Sequence, residues 1–148
     1  MDNLNHLPTY EQDFYAWALE NANLLRQKKF DEIDIEHIAE EIESMGRGEK
    51  NQFISHLAVL IAHLLKWQYQ PDRRGSSWEK TINYQRYRIP KLLKESPSLK
   101  YNIDETLDDA YLRGVSIASA EMIKAEIEFP EVCPFSLEQC LDAAFLPD

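Results

Sequence analysis

Two histidines seven residues apart, His56 and His63, interrupt the apolar run HLAVLIAHLLKW, and two arginines, Arg73 and Arg74, follow between Trp67 and Trp78. In metal-independent phosphodiester cleavage, His or Lys moves a proton and Arg stabilises the developing charge. His63, Lys66, Arg73, Arg74 and Tyr84 are the residues of this region that could serve such chemistry. Imidazoles also bind metal ions. His56 and His63, with His37 and Glu41 (i, i+4) on the preceding helical pattern, offer a divalent site inside a bundle. Di-metal bundles, however, need repeated Glu-x-x-His pairs, and only Asp34-Ile-Glu-His37 comes near one. Histidines on a core rim are more commonly satisfied by a carbonyl or carboxylate, so no metal and no cofactor is expected. The chain also lacks a Gly-rich phosphate loop, a G-x-S-x-G elbow and a nucleophilic Cys–His signature. These residues leave open whether the chain is an enzyme.

The elements that must position these side chains all read as helix. In PTYEQDFYAWALENANLLRQ, Thr9 and Gln12 form a capping-box pattern. Tyr10, Phe14, Trp17, Ala18, Leu24 and Leu25 then share a face that has Asn21 in its middle. A second helix opens at Asp34, with Ile35, Ile38, Ala39, Ile42 and Met45 expected inward and Glu36, Glu40, Glu41 and Glu43 largely outward. The glycines of MGRG (45–48) are a stop or kink signal. A third helix over about 49–69 has an apolar arc broader than a surface helix needs, which marks it as central. His56 and His63 stack just outside that arc.

QPDRRGSS is turn chemistry, and Ser76 with Glu79 suggests a capping box for a fourth helix. Trp78, Ile82, Ile89, Leu92 and Leu93 face inward there, Gln85 lies within the stripe, and Pro90 implies a kink. Ser96-Pro97 reads as the start of a fifth helix using Leu99, Ile103, Leu107, Ala110, Gly114 and Ile117. Ser136 with Gln139 caps a short terminal helix. The expectation is an all-α, single-domain bundle of four or five main helices with a short C-terminal helix, most buried over 53–65. Trp67 and Trp78 should both be largely buried, with Arg73 and Arg74 exposed or paired with acids. Asn21 and Gln85 should hydrogen-bond to each other, to His63 or to a backbone group, because an unsatisfied buried amide costs roughly 1–3 kcal/mol.

Composition narrows the function classes. The 148 residues suffice for one core, and a 44% apolar share is that of a folded globule. Cys133 and Cys140 have neither ligand spacing nor a disulfide framework, and MDNLNHLPTY has no signal-peptide pattern, so the cytoplasm is expected. No segment reads as a membrane span. The net charge of -10 is uneven: residues 1–50 carry -7, residues 51–100 carry +6 and the remainder carry -9. In the basic middle, Arg73, Arg74, Lys80, Arg86, Arg88, Lys91, Lys94 and Lys100 interleave with Tyr69, Tyr84 and Tyr87. That pattern suits nucleic acid, but in so acidic a chain a solvated face is favoured.

YEQDFYAWALENANLLRQKKFDEIDIEHIAEEIESMGRGEK, HLLKWQYQPDRRGSSWEKTI, ESPSLK and FPEVCPFSLEQCLD together resemble the bacterial family known as domain of unknown function 29. The resemblance covers nearly the whole chain and implies a helical fold, with a hallmark cluster at His63, Lys66, Trp67 and Trp78. It implies no activity. By elimination, a protein-binding or regulatory module is favoured, with a protein partner ahead of a nucleic acid. The alternative is a small nucleic-acid-acting enzyme or metal-binding bundle. Candidate binding residues are His63, Lys66, Trp67, Arg73, Arg74, Trp78 and Gln85.

Overall fold

The computed structural model describes residues 9–122 and 128–148. Those residues form five α-helices and no strand: α1 (Phe14–Arg26), α2 (Ile35–Tyr69), α3 (Ser76–Glu95), α4 (Ile103–Glu121) and α5 (Leu137–Leu141). Two 3-10 turns, Pro71–Arg73 and Pro97–Lys100, stand before α3 and α4. The architecture is therefore all-α. It divides into two compact units, Met1–Arg47 and Gly48–Asp148, with α2 contributing to both.

The first unit pairs α1 with the opening of α2. Asp13 caps α1 by accepting from the Ala16 amide at 3.1 Å, while Thr9 Oγ1 accepts from the Gln12 amide in the turn before it. Thr9 thus caps a turn that precedes the helix, one step earlier than its sequence pattern suggested. At the other end, the amides of Lys28 and Lys29 bond the carbonyls of Leu25 and Leu24, with Lys28 in the left-handed region at φ 61°. That is a Schellman arrangement built without glycine. Only Trp17, Asn21 and Leu24 of α1 are buried, and nothing in α2 up to Arg47 is. Ile35, Ile42 and Met45, expected inward, are exposed, as are Phe14 and Leu25. Periodicity put them on common faces, but a two-helix unit has too few elements to cover both sides of each helix.

Helix α2 does not end at MGRG. Gly46 and Gly48 both lie within it, and neither adopts a positive φ. Each glycine costs roughly 1 kcal/mol relative to Ala, which the long helical stretches on either side offset. The boundary between the two units falls at this same place.

The second unit is built around α2 from Phe53 to Trp67. Phe53, Leu57, Leu60, Ile61, Leu64 and Leu65 are fully buried, covering most of the helix circumference. Ile82, Ile89, Leu92 and Leu93 of α3 join that core, as do Ala110, Tyr111 and Ala118 of α4 and Phe135 and Cys140 near the C-terminus. Two helix starts of this unit differ from the sequence reading. Gly75, extended and without a side-chain bond, caps α3 in place of a Ser76–Glu79 box. Ser96-Pro97 opens only the 3-10 turn, and α4 begins after Asn102, which is left-handed at φ 55°. Pro90 lies inside a continuous α3. The Ser136–Gln139 capping box of α5 is formed.

The approach of α4 to α2 is set by Gly114. A Cβ there would stand 3.0 Å from the Ala58 carbonyl oxygen and 3.1 Å from Ile61 Cγ2. Backbone on one side and a β-branched core side chain on the other leave little room to yield. Gly114→Val should therefore destabilise the protein by about 1–3 kcal/mol in chemical denaturation, the usual cost of overpacking. An unchanged midpoint would show that the two helices can separate freely.

Candidate functional site

The corner between α2 and α3 holds most of the residues singled out above. Lys66 is only 5% exposed, although it is charged. Its ammonium donates to Glu121 at the end of α4 and lies 5.3 Å from the centroid of the Trp78 ring. His63, one turn earlier and half-buried, places Nδ1 2.8 Å from the Val59 carbonyl oxygen. A carbonyl only accepts, so Nδ1 carries the proton. Burial, and to a lesser degree the Lys66 charge, hold the His63 pKa below the ordinary imidazole value, against the opposing pull of the Val59 bond and Glu121. His63 is therefore a neutral ring with one nitrogen committed.

Trp67 is buried, whereas Trp78 is half-buried, less covered than its place on an apolar stripe suggested. It stands at the first turn of α3, where the buried Lys66 ammonium lies against the ring and the rest of the side chain is left to solvent. Among the described residues Arg74 pairs with no acid. Its Nε donates to the Trp67 carbonyl at 2.7 Å, Nη2 reaches the Pro147 carbonyl at 3.4 Å, and the guanidinium lies 5.2 Å from the Trp67 ring centroid. Arg73 is exposed. Gln85 accepts from His56 Nδ1 at 2.8 Å on a different part of α3, and so stands outside this corner.

The first unit has a polar constellation of its own around Asp34. Asp34 Oδ2 accepts from Trp17 Nε1 at 2.9 Å and from His37 Nδ1 at 2.7 Å, and the Asp34 amide donates to Asn21 Oδ1 at 2.8 Å. Asn21 Nδ2 donates to the Trp17 carbonyl at 3.0 Å, so its amide is satisfied on both sides. Tyr10 stacks on the His37 ring with centroids 4.2 Å apart and donates its hydroxyl proton to Glu41. That carboxylate bond is the main reason the Tyr10 pKa is pushed up to about 12. Tyr10, Trp17, Asn21, Asp34 and His37 border an open cavity of about 570 Å³ that also receives Glu11, Glu20 and Glu32.

The four metal candidates have separate partners: His37 pairs with Asp34, Glu41 with Tyr10, His56 with Gln85 and His63 with Val59. Among the described residues, no group of three or more His, Cys, Asp or Glu side chains could hold a metal ion. Burial raises both thiols, Cys140 to about 12, so neither is a ready nucleophile. Sequence reasoning did not reach Glu121 as the partner of Lys66. Nor did it see Tyr10, Trp17, Asp34 and His37 as one network, although Asp34-x-x-His37 carried the signal. That spacing is a helix cap turned back on the first turn.

The family model described as Domain of unknown function DUF29 matches residues 9–146, and the chain belongs to that family. No curated protein and no solved structure matches the chain.

The Lys66–Glu121 pair is asymmetric, because the Glu121 side chain is 52% exposed while Lys66 is enclosed. Glu121→Ala should cost about 3 kcal/mol, since it strands a buried ammonium, whereas Lys66→Met should be close to neutral. Equal losses in urea denaturation would mean that the pair is not buried in this one-sided way.

A second prediction concerns pH. The Asp34 hydrogen bond raises the His37 pKa, so its stabilisation is present below the ordinary imidazole pKa and is lost as pH rises through the raised value. For Asp34, burial works against ionisation, but the bonds from His37 and Trp17 outweigh it and lower the pKa. The Asp34 contribution is thus present above the ordinary aspartate pKa and fades as pH falls through the lowered value. NMR titration should find His37 above the ordinary imidazole value, and Asp34→Asn should bring it down. A His37 titration that ignores Asp34→Asn would break the pairing.

Proposed function

We propose that this chain is a protein-binding or regulatory module of the bacterial cytoplasm whose partner docks on the first unit. The observation that carries this reading is an exposed apolar groove between α1 and α2. Ala18, Ala22 and Leu25 on one side and Ile38, Ile42 and Met45 on the other both follow i, i+4, i+7 spacing, around a hollow of about 240 Å³. Ile42 is 59% and Met45 64% exposed, and Tyr15, Leu19 and Ile35 extend the apolar surface beyond the groove. Apolar area left in water forgoes about 25 cal/mol per Å², and a contiguous patch of it marks a partner site more often than chance exposure. The two alanines give the groove depth, and an amphipathic helix is the usual occupant of such a shape. Glu36, Glu40 and Glu43 stand exposed on α2, which favours a partner with cations beside its apolar face. The two free thiols, Cys133 and Cys140, support a reducing compartment.

The alternative, a nucleic-acid-acting enzyme or metal-binding bundle using His63, Lys66, Trp67, Arg73 and Arg74, has less support. In that corner Glu121 neutralises Lys66, backbone carbonyls occupy Arg74, and one nitrogen of His63 is taken. The docking reading is tested with a photo-crosslinking residue at Met45, on the same groove, in the native host. A discrete heterologous partner should be captured there, and Leu25→Glu with Ile42→Glu should abolish capture without changing the melting temperature. Capture that survives the double substitution, or no cross-link at all, would refute docking at this groove.

A further inference from the structure

We infer that the solvent-facing back of α3 is a binding site for single-stranded nucleic acid, a function separate from docking on the first unit. Lys80, Tyr84, Tyr87, Lys91 and Lys94 recur at intervals of four, three, four and three residues, so they form one line along the helix. All five are exposed, Tyr84 at 54% and Tyr87 at 61%, while the opposite face buries Ile82 and Ile89. No acidic residue occurs in α3 between Glu79 and Glu95. The line from Lys80 to Lys94 is about 21 Å long at the rise of an α-helix. That length suits a short single strand tracked by cations, with aromatic faces on which bases stack. Lys91 orders part of the line. Its ammonium lies 4.8 Å from the Tyr87 ring centroid and donates to the Tyr87 hydroxyl at 2.9 Å.

Two cations that the sequence would add to this surface do not belong to it. Arg86 is buried and donates to the carbonyls of Cys140, Gln139 and Phe145, and Arg74 is held by Trp67 and Pro147. On the line that remains, Lys80 stands about three turns before Lys91 with Tyr84 and Tyr87 between them, and Lys94 follows one turn later. An acidic peptide would need only the charges; the exposed rings between them favour a ligand that brings its own flat faces. The net charge of -10 does not forbid binding, because at physiological salt the field of remote charges is screened within about 8 Å.

The test is fluorescence anisotropy of the full chain with a labelled twelve-nucleotide oligothymidylate and an abasic strand of equal length and charge. The thymidylate should bind at 50 mM salt, and the abasic strand at least tenfold more weakly. Binding should fall about twentyfold between 50 and 200 mM salt, if the three lysines each displace a counterion. Tyr84→Ala with Tyr87→Ala should remove the preference for the base-bearing strand, and Lys80→Gln with Lys91→Gln should flatten the salt dependence. All these positions are exposed, so an unchanged melting temperature confirms that each variant is folded. Equal affinity for both strands, indifference to the tyrosine variants, or no binding at 50 mM salt would overturn the assignment. So would self-association of the chain that the lysine variants dissolve, which would give the line to a second copy. None of these results bears on the groove of the first unit.

Discussion

Helix α2 between Phe53 and Leu65 imposes the constraint on which the second unit depends. A helix that is apolar around most of its circumference cannot lie on a surface; it must be wrapped. Fully burying each large aliphatic side chain contributes about 1.5–3 kcal/mol, and this segment commits six large side chains completely. The wrapping explains why α3 and α4 both run long, why α4 carries Gly114 where it meets Ala58 and Ile61, and why the residues around Phe135 and Cys140 fold back into the core. His56 and His63 stand where that wrapping stops. Each is half-buried, with one ring nitrogen on a protein oxygen and the rest of the ring at the rim.

The same wrapping accounts for the fate of the basic middle segment. Carbonyls at the ends of α2 and α5 (Trp67, Gln139, Cys140) and in the C-terminal segment (Phe145, Pro147) take side-chain donors, as helix-end and loop carbonyls must when they are covered. Arg86 supplies one guanidinium to three of them, and Arg74 serves two others. Lys50 acts alike, donating to the Leu99 carbonyl at 3.3 Å and to Thr106 Oγ1 at 2.7 Å. The charge asymmetry of the sequence therefore splits into two populations. Some cations turn inward as fixed donors, and Lys80, Lys91 and Lys94 stay in water.

What the sequence revealed depended on whether a signal was local or required a partner. The helical period of 53–65, the rim position of the histidines and the Ser136–Gln139 box were legible because each is decided by neighbours within a turn or two. The inward placement of Ile35, Ile42 and Met45 failed because a period identifies a face without saying what covers it. Gly46 and Gly48, read as a stop or kink, end no helix, since flanking turns can carry a glycine that costs only about 1 kcal/mol. Lys66 with Glu121 was illegible. Fifty-five residues separate them, and no pattern in the chain relates an isolated lysine to an isolated glutamate.

The first unit obeys a different economy of forces. Among its described residues the buried set is little more than Trp17, Asn21 and Leu24, too small to order two helices by hydrophobic burial alone. Order comes instead from Asp34, which caps α2 and holds Trp17 and His37, while its own amide is held by Asn21. Directional bonds of that kind specify geometry more than they add stability, because each replaces a bond to water. A unit so constructed keeps its helices in register yet leaves the groove beside them bare. A small buried apolar set is a mark of low local stability, the range from which partner-binding elements are commonly drawn. Any partner that covers the groove adds the burial that the unit lacks, so binding and local stability rise together.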